Sequence, residues 1–538
     1  MSEVGTEQKA GTEENKSLVR SAGVVGSLTL LSRFFGLFRD AVIAAVFPKR
    51  LTDAFFVAFT IPNVFRRLLA EGALTIAFIP TFTDYHRHRT SEEAKRFVNA
   101  AFTTLCVILL VFSVLGVIAA PLLVRLFAWG YTEDPEKFAA AVRLTQLVFP
   151  YIFFVSLAAL AMGVLNTVGH FAGPAGSPVF FNFGMIVCIL ALTPLFKRFG
   201  LPAFYSLGIG VLVGGLGQLL IHLPFMARFG YLPKLKWDPS HPGVKKVTRL
   251  MGPAVFGLAL YQLNVLLAKL LASFLGHGAV TYLYYAQRLI EFPMGVFAVA
   301  VATAAAPTFS VHVMSGDLGK MKETLGNTLR LTMFIVIPSM VGLVVLGEPI
   351  VAAFFQRGRF DYEMTVATYK ALAAFSIGLW AAAAIRQLVP AYYALDDSKT
   401  PVKAAAAGLV VYVGVGLALM KPLGHVGLAL GVSASSIVNL AVLAFVFRKR
   451  MGRLGWRKVF VSALKQGAAS LVMGAGVYFI AAYGNWEKGL GDSRNQVVLL
   501  ACFAVAGVLY IGVCALLKTP EVKELWLGIR RRRRRKKP

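Results

Sequence analysis

The stretch Ser32–Asp40, SRFFGLFRD, places three charged residues between two apolar runs, residues 24–31 and 41–47. An arginine at membrane depth costs at least ~2.5–3.5 kcal/mol, and its guanidinium cannot lose a proton to avoid that cost. Such residues are retained where they face a wet cavity and meet an anion. The stretch therefore predicts a membrane-spanning helix that lines a polar pathway.

Further cations lie in segments whose other residues are mostly apolar. Arg66 and Arg67 belong to PNVFRRLLAEG, residues 62–72, and Arg288 follows YYAQ, residues 284–287. Together with Arg33 and Arg39, these side chains indicate a transporter for a negatively charged substrate. Lys269 and Arg386 lie in two later apolar segments, where each is either a solitary internal cation or one half of a pair.

The composition predicts an all-α polytopic membrane protein. Of the 538 residues, 57% are hydrophobic and only 15% are charged, whereas a soluble domain carries about 25% charged residues. Apolar runs of about 20 residues are long enough to cross a bilayer. We predict about 14 spans: 22–47, 53–82, 98–126, 138–168, 175–196, 203–228, 247–275, 280–310, 322–346, 365–395, 401–420, 425–447, 458–483 and 495–517. Pro62, Pro150, Pro293, Pro338 and Pro390 are candidate kinks.

The net charge of +29 lies mostly in loops on alternate sides of the spans and in the run Arg530–Lys537. Because basic loops favour the cytoplasmic side, both termini are predicted to be cytoplasmic. We expect the basic tail to contact membrane lipids rather than nucleic acid, with an RNA-linked regulator or membrane scaffold as the alternative. A monomer is expected.

A weak internal repeat divides the chain into lobes. Residues 77–82, AFIPTF, end the second predicted span, and 305–309, AAPTF, end the eighth. The two spans are six positions apart in the chain, an even offset, so the two copies share one orientation around a central cationic cavity. The predicted organisation is a disordered leader 1–20, an N-terminal lobe 21–228, a linker 229–246, a C-terminal lobe 247–447, two extra helices 458–517 and a basic tail 518–538.

Helical spacing suggests which charges pair. Arg67 and Glu71 are four residues apart, the spacing at which helical charges meet, so they are predicted to form a structural or gating pair. Arg66 points about 100° away and is predicted to face the substrate. Arg288 and Glu291 are three residues apart, so Arg288 either forms a private pair or faces the substrate. Arg33 and Arg39 either line the cavity or are internal or interfacial residues.

Nothing in the sequence indicates catalysis. It contains no phosphate-binding glycine loop and no metal-ligand spacing, and the four cysteines are scattered singly. We therefore expect no enzyme activity and no required cofactor, although chloride could occupy a cationic cavity.

The segments 32–40, 52–59 and 62–80 resemble the MurJ/MviN family, the lipid II flippases of bacterial peptidoglycan synthesis. The segments 284–295 (YYAQRLIEFPMG), 355–358 (FQRG) and 399–403 (KTPVK) extend the resemblance over nearly the whole chain. It implies the fold of the multidrug/oligosaccharidyl-lipid/polysaccharide exporter superfamily, with the last two helices forming a groove for the lipid tail. It also implies a multi-pass protein of the bacterial cytoplasmic membrane.

The resemblance assigns roles to particular residues. Its substrate-binding cations are Arg33, Arg39, Arg66 and Arg288. It also implies that Asp40 and Asp53 are important acidic positions. From the residues themselves, the predicted supporting or gating residues are Ser32, Arg67, Glu71, Glu291 and Lys269. The expected substrate is undecaprenyl-pyrophosphate-linked disaccharide-pentapeptide, which would cross by alternating access. Another polysaccharide-lipid flippase or a drug/cation antiporter of the same superfamily is the alternative.

The sequence departs from the family at two places. Gln287 stands where some relatives have an acid before the eighth-span arginine. Some relatives also bind sodium through a seventh-span carboxylate, but that span here has Lys269 and no acid. A sodium site is therefore not expected, and Lys269 is hypothesised to replace the bound cation in the second lobe, with Asp396 and Asp397 as its first candidate partners. The alternative is that it snorkels or lines the cavity.

Overall fold

The structure, a computed structural model, describes the backbone of residues 2–452 and 455–523. Side chains are described from residue 23 onward, except at 254, 256–258, 260, 261 and 296. The described residues contain helices and no strand, which confirms the all-α prediction. By internal contacts the chain forms two compact units, residues 1–277 and 278–538.

Unit 1 contains eleven α-helices, one π-helix (π1) and a short 3₁₀ turn at Trp129–Glu133. In chain order they are α1 Ser2–Val46, α2 Lys49–Arg66, π1 Arg67–Leu74, α3 Thr75–His88, α4 Ser91–Ile118, α5 Ala120–Phe127, α6 Pro135–Val148, α7 Tyr151–Thr167, α8 Ala172–Arg198, α9 Tyr205–Leu220, α10 Leu223–Arg228 and α11 Pro242–Ser273.

Unit 2 continues with α12 Ala279–Pro293, π2 Met294–Ala298, α13 Val299–Met314, α14 Leu318–Val345, α15 Gly347–Phe355, α16 Tyr362–Ile377, α17 Leu379–Ala394, α18 Lys399–Leu423, α19 His425–Met451, α20 Trp456–Ala481 and α21 Ser493–Leu516. A 3₁₀ turn at Trp486–Gly491 precedes α21. Helices α20 and α21 pack on each other, and α20 also packs on α14.

The predicted organisation differs from the structure at two boundaries. The predicted second lobe begins at residue 247, but α11 packs on π1, α3 and α4 and belongs to unit 1. Helix is assigned to residues 2–22, where a disordered leader was predicted; Glu, Gln, Lys and Ala are common there and are good helix formers. The Arg530–Lys537 tail lies outside the described residues.

Each of the fourteen predicted spans falls on a helix or on a run of consecutive helices. Within the described ranges, nine helical segments are long and apolar enough to cross a membrane, and the bent pair α16–α17 makes a tenth. The remaining four predicted spans, the first, second, seventh and eighth, are those that contain Arg33 and Arg39, Arg66 and Arg67, Lys269, and Arg288. The second and eighth of these spans are each interrupted by a π-helix.

The two π-helices occupy equivalent places in the sequence repeat. π1 begins at Arg67, 13 residues before Pro80, and π2 begins at Met294, 13 residues before Pro307. π-Helical turns are rare and occur frequently at functional sites. Their recurrence at the same register supports the predicted duplication.

Glycines bring helices close together near the charged spans. A Cβ on Gly214 of α9 would lie 2.7 Å from the Phe181 carbonyl oxygen of α8, so only glycine fits there. Small residues allow this close packing of membrane helices. A Cβ on Gly378 would lie 2.6 Å from Ser433 Cα, and the 45° bend between α16 and α17 falls beside it. This span therefore bends at a glycine, and the predicted kink at Pro390, inside α17, stays a prediction.

Candidate functional site

Arg39 is held in a buried cluster between α1 and α8. Its Nη2 and Nε donate to Asp40 Oδ1 at 2.6 and 3.0 Å, and its Nη1 donates to Asn182 Oδ1 at 3.0 Å. Asn182 Nδ2 in turn donates to the Ser32 carbonyl at 3.2 Å. Arg39 is 4% exposed and Asp40 is fully buried, so this cluster fixes α1 against α8.

Arg33 lies on the same helix, about 9 Å along its axis from Arg39 at 1.5 Å per residue. It is half-buried. The structure therefore separates the two cations of the opening stretch into a buried one and a more accessible one.

Arg66 pairs with Glu71, and the predicted Arg67–Glu71 pair is wrong. Arg66 Nη1 lies 2.5 Å from Glu71 Oε1, while Arg67 is exposed. The reason is the wide turn of π1, in which hydrogen bonds run from residue i to i+5. That geometry brings residue i+5, rather than i+4, onto the same face. Sequence spacing alone assumes an α-helix and therefore names the wrong arginine.

Both side chains of the Arg66–Glu71 pair are partly exposed to solvent. The Arg66 side chain is 21% exposed and that of Glu71 is 51% exposed. Arg66 Nε is buried and makes no hydrogen bond with any described residue. Arg66 therefore has a spare donor and a partner that water can replace.

An aromatic group lies between Arg39 and Arg66. The rings of Phe59, Tyr151 and Phe181 have centroids 5.3–6.1 Å apart, and the Arg39 guanidinium lies 5.8 Å from the Phe181 ring centre. The Tyr151 hydroxyl donates to Gln218 Oε1 at 3.3 Å. Phe59 lies seven residues, or about two turns, before Arg66 on α2. The aromatic group therefore connects Arg39 to the helix that ends at Arg66.

A second buried cluster surrounds Asp53. Lys137 Nζ donates to Asp53 Oδ2 at 2.8 Å, with both side chains almost completely buried. The same ammonium lies 4.1 Å from the centre of the Tyr131 ring, where a cation is attracted by the ring face. The Asp53 carboxylate also attracts Lys269 of α11. Asp53 thus links the start of α2 to α6 and α11.

The hypothesis about Lys269 named the wrong acids and the wrong unit. Lys269 belongs to unit 1. Asp397 accepts from Thr400 N at 2.9 Å and Thr400 Oγ1 at 2.6 Å and pairs with Arg450. The acid that acts on Lys269 is Asp53, 216 residues earlier in the chain, which no local spacing could reveal.

Partly exposed ion pairs lie next to the Asp53 cluster, around Asp134, which accepts from the backbone N–H of Lys137. Arg50 lies 2.5 Å from Asp134 and 2.7 Å from Glu136, and His277 lies 3.8 Å from Asp134. Burial raises the pKa of Asp134, but the Lys137 N–H and Arg50 outweigh it and leave this pKa below its usual value. These contacts tie the loop before α6 to the start of α2 and the end of α11.

In unit 2, Arg288 forms the pair with Glu291 that its spacing allowed. Arg288 Nη1 lies 3.0 Å from Glu291 Oε2, and both side chains are partly exposed. Its guanidinium lies 5.9 Å from the centre of the Tyr284 ring. Arg386 is exposed on α17, and its role as an internal cation stays a prediction. Among the residues described, no three His, Cys, Asp or Glu side chains form a group able to hold a metal ion.

Sequence reasoning missed Lys137, Tyr151 and Asn182. Each is a polar residue at or within an apolar span, and Asn182 is the only amide in the predicted fifth span, which has no charged residue. That isolation was the available signal. Their partners are 143 and 84 residues away in the chain for Asn182 and Lys137, so the contacts themselves required the fold.

Comparison with solved structures defines the class of protein. An inward-facing multidrug resistance MATE family transporter of the MOP superfamily matches with a TM-score of 0.62 over 80% of this chain and 98% of its own, at 14% identity. At that identity the match shows the fold alone. The lipid II flippase MurJ in an inward closed conformation matches more fully, with a TM-score of 0.74 and 26% identity over 92% of this chain and 99% of that one. The protein has the fold of a multi-pass membrane transporter.

The family follows from the sequence comparisons. The model of the lipid II flippase MurJ family matches residues 43–491. The lipid II flippase MurJ of Burkholderia cenocepacia is 35% identical over 92% of this chain and 97% of its own length. The probable lipid II flippase MurJ of Vibrio cholerae is 34% identical over 94% and 97%. The chain belongs to the lipid II flippase MurJ family, as the opening motifs predicted.

Proposed function

We propose that this protein moves lipid II, the undecaprenyl-pyrophosphate-linked disaccharide-pentapeptide, from the cytoplasmic to the periplasmic leaflet of the bacterial cytoplasmic membrane by alternating access. The proposal depends mainly on the surroundings of Arg66. Its buried Nε has no hydrogen-bond partner among the described residues, and its carboxylate partner Glu71 is about half exposed to solvent. Membership of the family supports the choice of substrate.

The pyrophosphate suits such an arginine. A guanidinium binds phosphate oxygens through two parallel charge-assisted hydrogen bonds, which a lysine ammonium cannot reproduce. Arg66 Nε makes no hydrogen bond with a described residue, and the bond from Arg66 Nη1 to Glu71 can be exchanged for a bond to a phosphate oxygen. Arg288 is held by the partly exposed Glu291 in a similar way and is proposed to bind the same class of anion.

The buried cations have a different proposed role. The Arg39 guanidinium donates hydrogen bonds to Asp40 and Asn182, and the Lys137 ammonium donates to Asp53. We assign these residues to positioning α1, α2 and α6, because each cation is neutralised by a neighbouring carboxylate. Arg33 is half-buried and stays a proposed substrate ligand.

The charge balance disfavours a drug/cation antiporter. The charged spans of unit 1 carry Arg33, Arg39, Arg66, Arg67 and Lys269 against Asp40, Asp53 and Glu71, an excess of cations. A cationic drug would require the opposite excess. The same excess allows the inside-negative membrane potential to return the unloaded carrier, because each charge moved through 100 mV contributes ~2.3 kcal/mol.

The proposed orientation places both termini in the cytoplasm, since the basic loops collect at one end of the spans. Fusion of a fluorescent protein or of alkaline phosphatase to the C-terminus tests it. Fluorescence without phosphatase activity is expected, and active phosphatase would place that terminus outside.

Complementation tests the function itself. In cells depleted of their own lipid II flippase, the protein should restore growth and move lipid II to the outer leaflet in a leaflet-resolved assay. Arg66→Ala should abolish both while accumulating normally, and Arg67→Ala, which removes the same charge from the exposed neighbour, should retain both. Growth supported by Arg66→Ala at wild-type rate would overturn the proposal.

A further inference from the structure

The connection between α10 and α11 lies as an extended strap against α4. We define the strap as residues 231–238, YLPKLKWD. Lys234 N donates to Asn99 Oδ1 at 2.8 Å, and Lys236 N donates to Thr103 Oγ1 at 2.9 Å. Asn99 and Thr103 are one turn apart on α4, so alternate backbone amides of the strap follow one face of that helix.

Both ends of the strap are fixed by side chains. Tyr231 is buried, its hydroxyl lies 2.8 Å from His86 Nδ1, and its ring packs edge-on against Phe82. Just after the strap, His241 stacks on Phe97 and accepts from Gly243 N at the start of α11. The strap is therefore a built segment, and its middle is bound through its backbone.

The middle of the strap presents its side chains outward. Leu235 is 81% exposed and Trp237 is 57% exposed, and Lys234 and Lys236 are exposed beside them. An exposed pair of large apolar residues alternating with two lysines is unusual for a water-facing loop. Trp and Lys are instead the residues that anchor membrane proteins at the headgroup level.

Further cations surround the strap. Arg96 of α4 is exposed and shares a helix face with Asn99 and Thr103 at spacings of three and seven residues. Lys245, Lys246 and Arg249 are exposed on the first turns of α11, which packs on α4. None of these six cations makes an ion pair with a residue that the structure describes. The surface can therefore neutralise an anionic partner.

The depth of the strap matches the headgroup layer. The exposed apolar series on α4 begins at Val107 and continues to Ile118. Thr103 is four residues, or about 6 Å, before Val107, and Asn99 is about 12 Å before it. The headgroup layer on each side of the hydrocarbon core is about 5–8 Å thick. Trp237, one residue beyond the Thr103 contact, lies close to this layer.

We propose that the strap, together with Arg96 and the first turns of α11, is a binding surface for anionic phospholipid headgroups, with Leu235 and Trp237 set in the membrane interface. The cations select the negative headgroup, and the apolar pair fixes the α10–α11 connection against the bilayer. This surface does not include the Arg66–Glu71 pair, and the proposal does not depend on which substrate is transported.

The test uses the full chain in lipid nanodiscs. Phosphatidylglycerol brominated near the headgroup end of its chains is titrated into phosphatidylcholine, and tryptophan quenching is recorded for the wild type and for Trp237→Phe. Their difference reports the lipid next to Trp237. Quenching at low mole fraction by brominated phosphatidylglycerol, and much less by brominated phosphatidylcholine, is expected.

The charge requirement is tested with a matched pair of variants. Lys234→Gln with Lys236→Gln should reduce the preference for phosphatidylglycerol by up to about 30-fold, since each cation near an anionic surface contributes about fivefold. Lys197→Gln with Arg198→Gln, which removes the same charge at the end of α8, should leave it unchanged. Equal quenching by both lipids, an equal loss in the control pair, or a Trp237 that neither lipid quenches would overturn the proposal. The last result would instead assign the surface to a soluble acidic partner.

Discussion

Arg39 and Arg66, both in unit 1, differ in the hydrogen bonds that their guanidinium groups make. Arg39 is buried, and three of its guanidinium hydrogen bonds go to Asp40 and Asn182. Arg66 has one bond to the exposed Glu71 and a buried Nε without a partner among the described residues. Removing one member of a buried ion pair costs about 3–5 kcal/mol, whereas an exposed pair is worth about 0–1 kcal/mol. Arginines in apolar spans therefore divide into those that build the protein and those that an incoming anion can reach.

The largest effect is expected for Arg39→Ala. It leaves Asp40 buried without its arginine, so the free energy of unfolding should fall by about 3–5 kcal/mol. Accumulation in the membrane and thermal unfolding in detergent measure this loss. Arg39→Gln combined with Asp40→Asn should recover much of it, because the two neutral side chains can still hydrogen-bond. If Arg39→Ala unfolds like the wild type and loses only transport, the two arginines have not been distinguished correctly.

A different pattern is expected for Arg66→Ala. Its free energy of unfolding should change by no more than about 1 kcal/mol, while transport is lost. Arg66→Lys should restore transport only in part, because an ammonium lacks the bidentate geometry. Unfolding curves and the leaflet-resolved lipid II assay, run on the same preparations, separate the two properties. A large loss of stability in Arg66→Ala would place this residue with Arg39.

The π-helical register can be tested by exchanging charges. Arg66→Glu with Glu71→Arg should recover the small stability loss of either single change, but not transport, because the cation has moved. Arg67→Glu with Glu71→Arg should bring no such recovery. The opposite ranking of the two exchanges would show that the i,i+4 pairing holds in the working protein.

A smaller effect is expected from the ionic conditions. Lys137 and Lys269 already place two fixed cations near Asp53, so transport should proceed equally with sodium replaced by potassium or choline. Lys269→Met should weaken transport modestly, with Lys269→Arg as the matched control that keeps the charge. A strong sodium requirement in the unmutated protein would contradict the fixed-cation interpretation and leave the lipid II proposal intact.

The sequence predicted the spans and the cations because both depend on composition along one segment. Arg33, Arg39, Arg66 and Arg288 are conspicuous in apolar surroundings, and the AFIPTF and AAPTF matches located the repeat in which both π-helices lie. The partner of Arg66 could not be predicted, since a π turn changes the facing residue from i+4 to i+5 without a compositional signal.

Contacts between residues that are distant in the chain could not be predicted from the sequence, for a different reason. The contacts of Asn182 with Arg39, and of Lys137 with Asp53, depend on how α8 and α6 pack. The place of α11 in unit 1 likewise follows from its contacts with π1, α3 and α4. Lys269 was consequently assigned to the wrong unit and to the wrong acids. A single sequence gives the residue types in each span but not which spans are neighbours.

Lipid II is proposed to displace Glu71 from Arg66, and the affinity of Glu71→Gln for lipid II tests this displacement most directly. Purified wild type and Glu71→Gln are titrated with lipid II, with Glu136→Gln as a control that removes an exposed carboxylate from the Arg50 pair. If Glu71 competes with the pyrophosphate, Glu71→Gln should bind lipid II several-fold more tightly while Glu136→Gln binds like the wild type. Unchanged or weaker binding by Glu71→Gln would contradict the account.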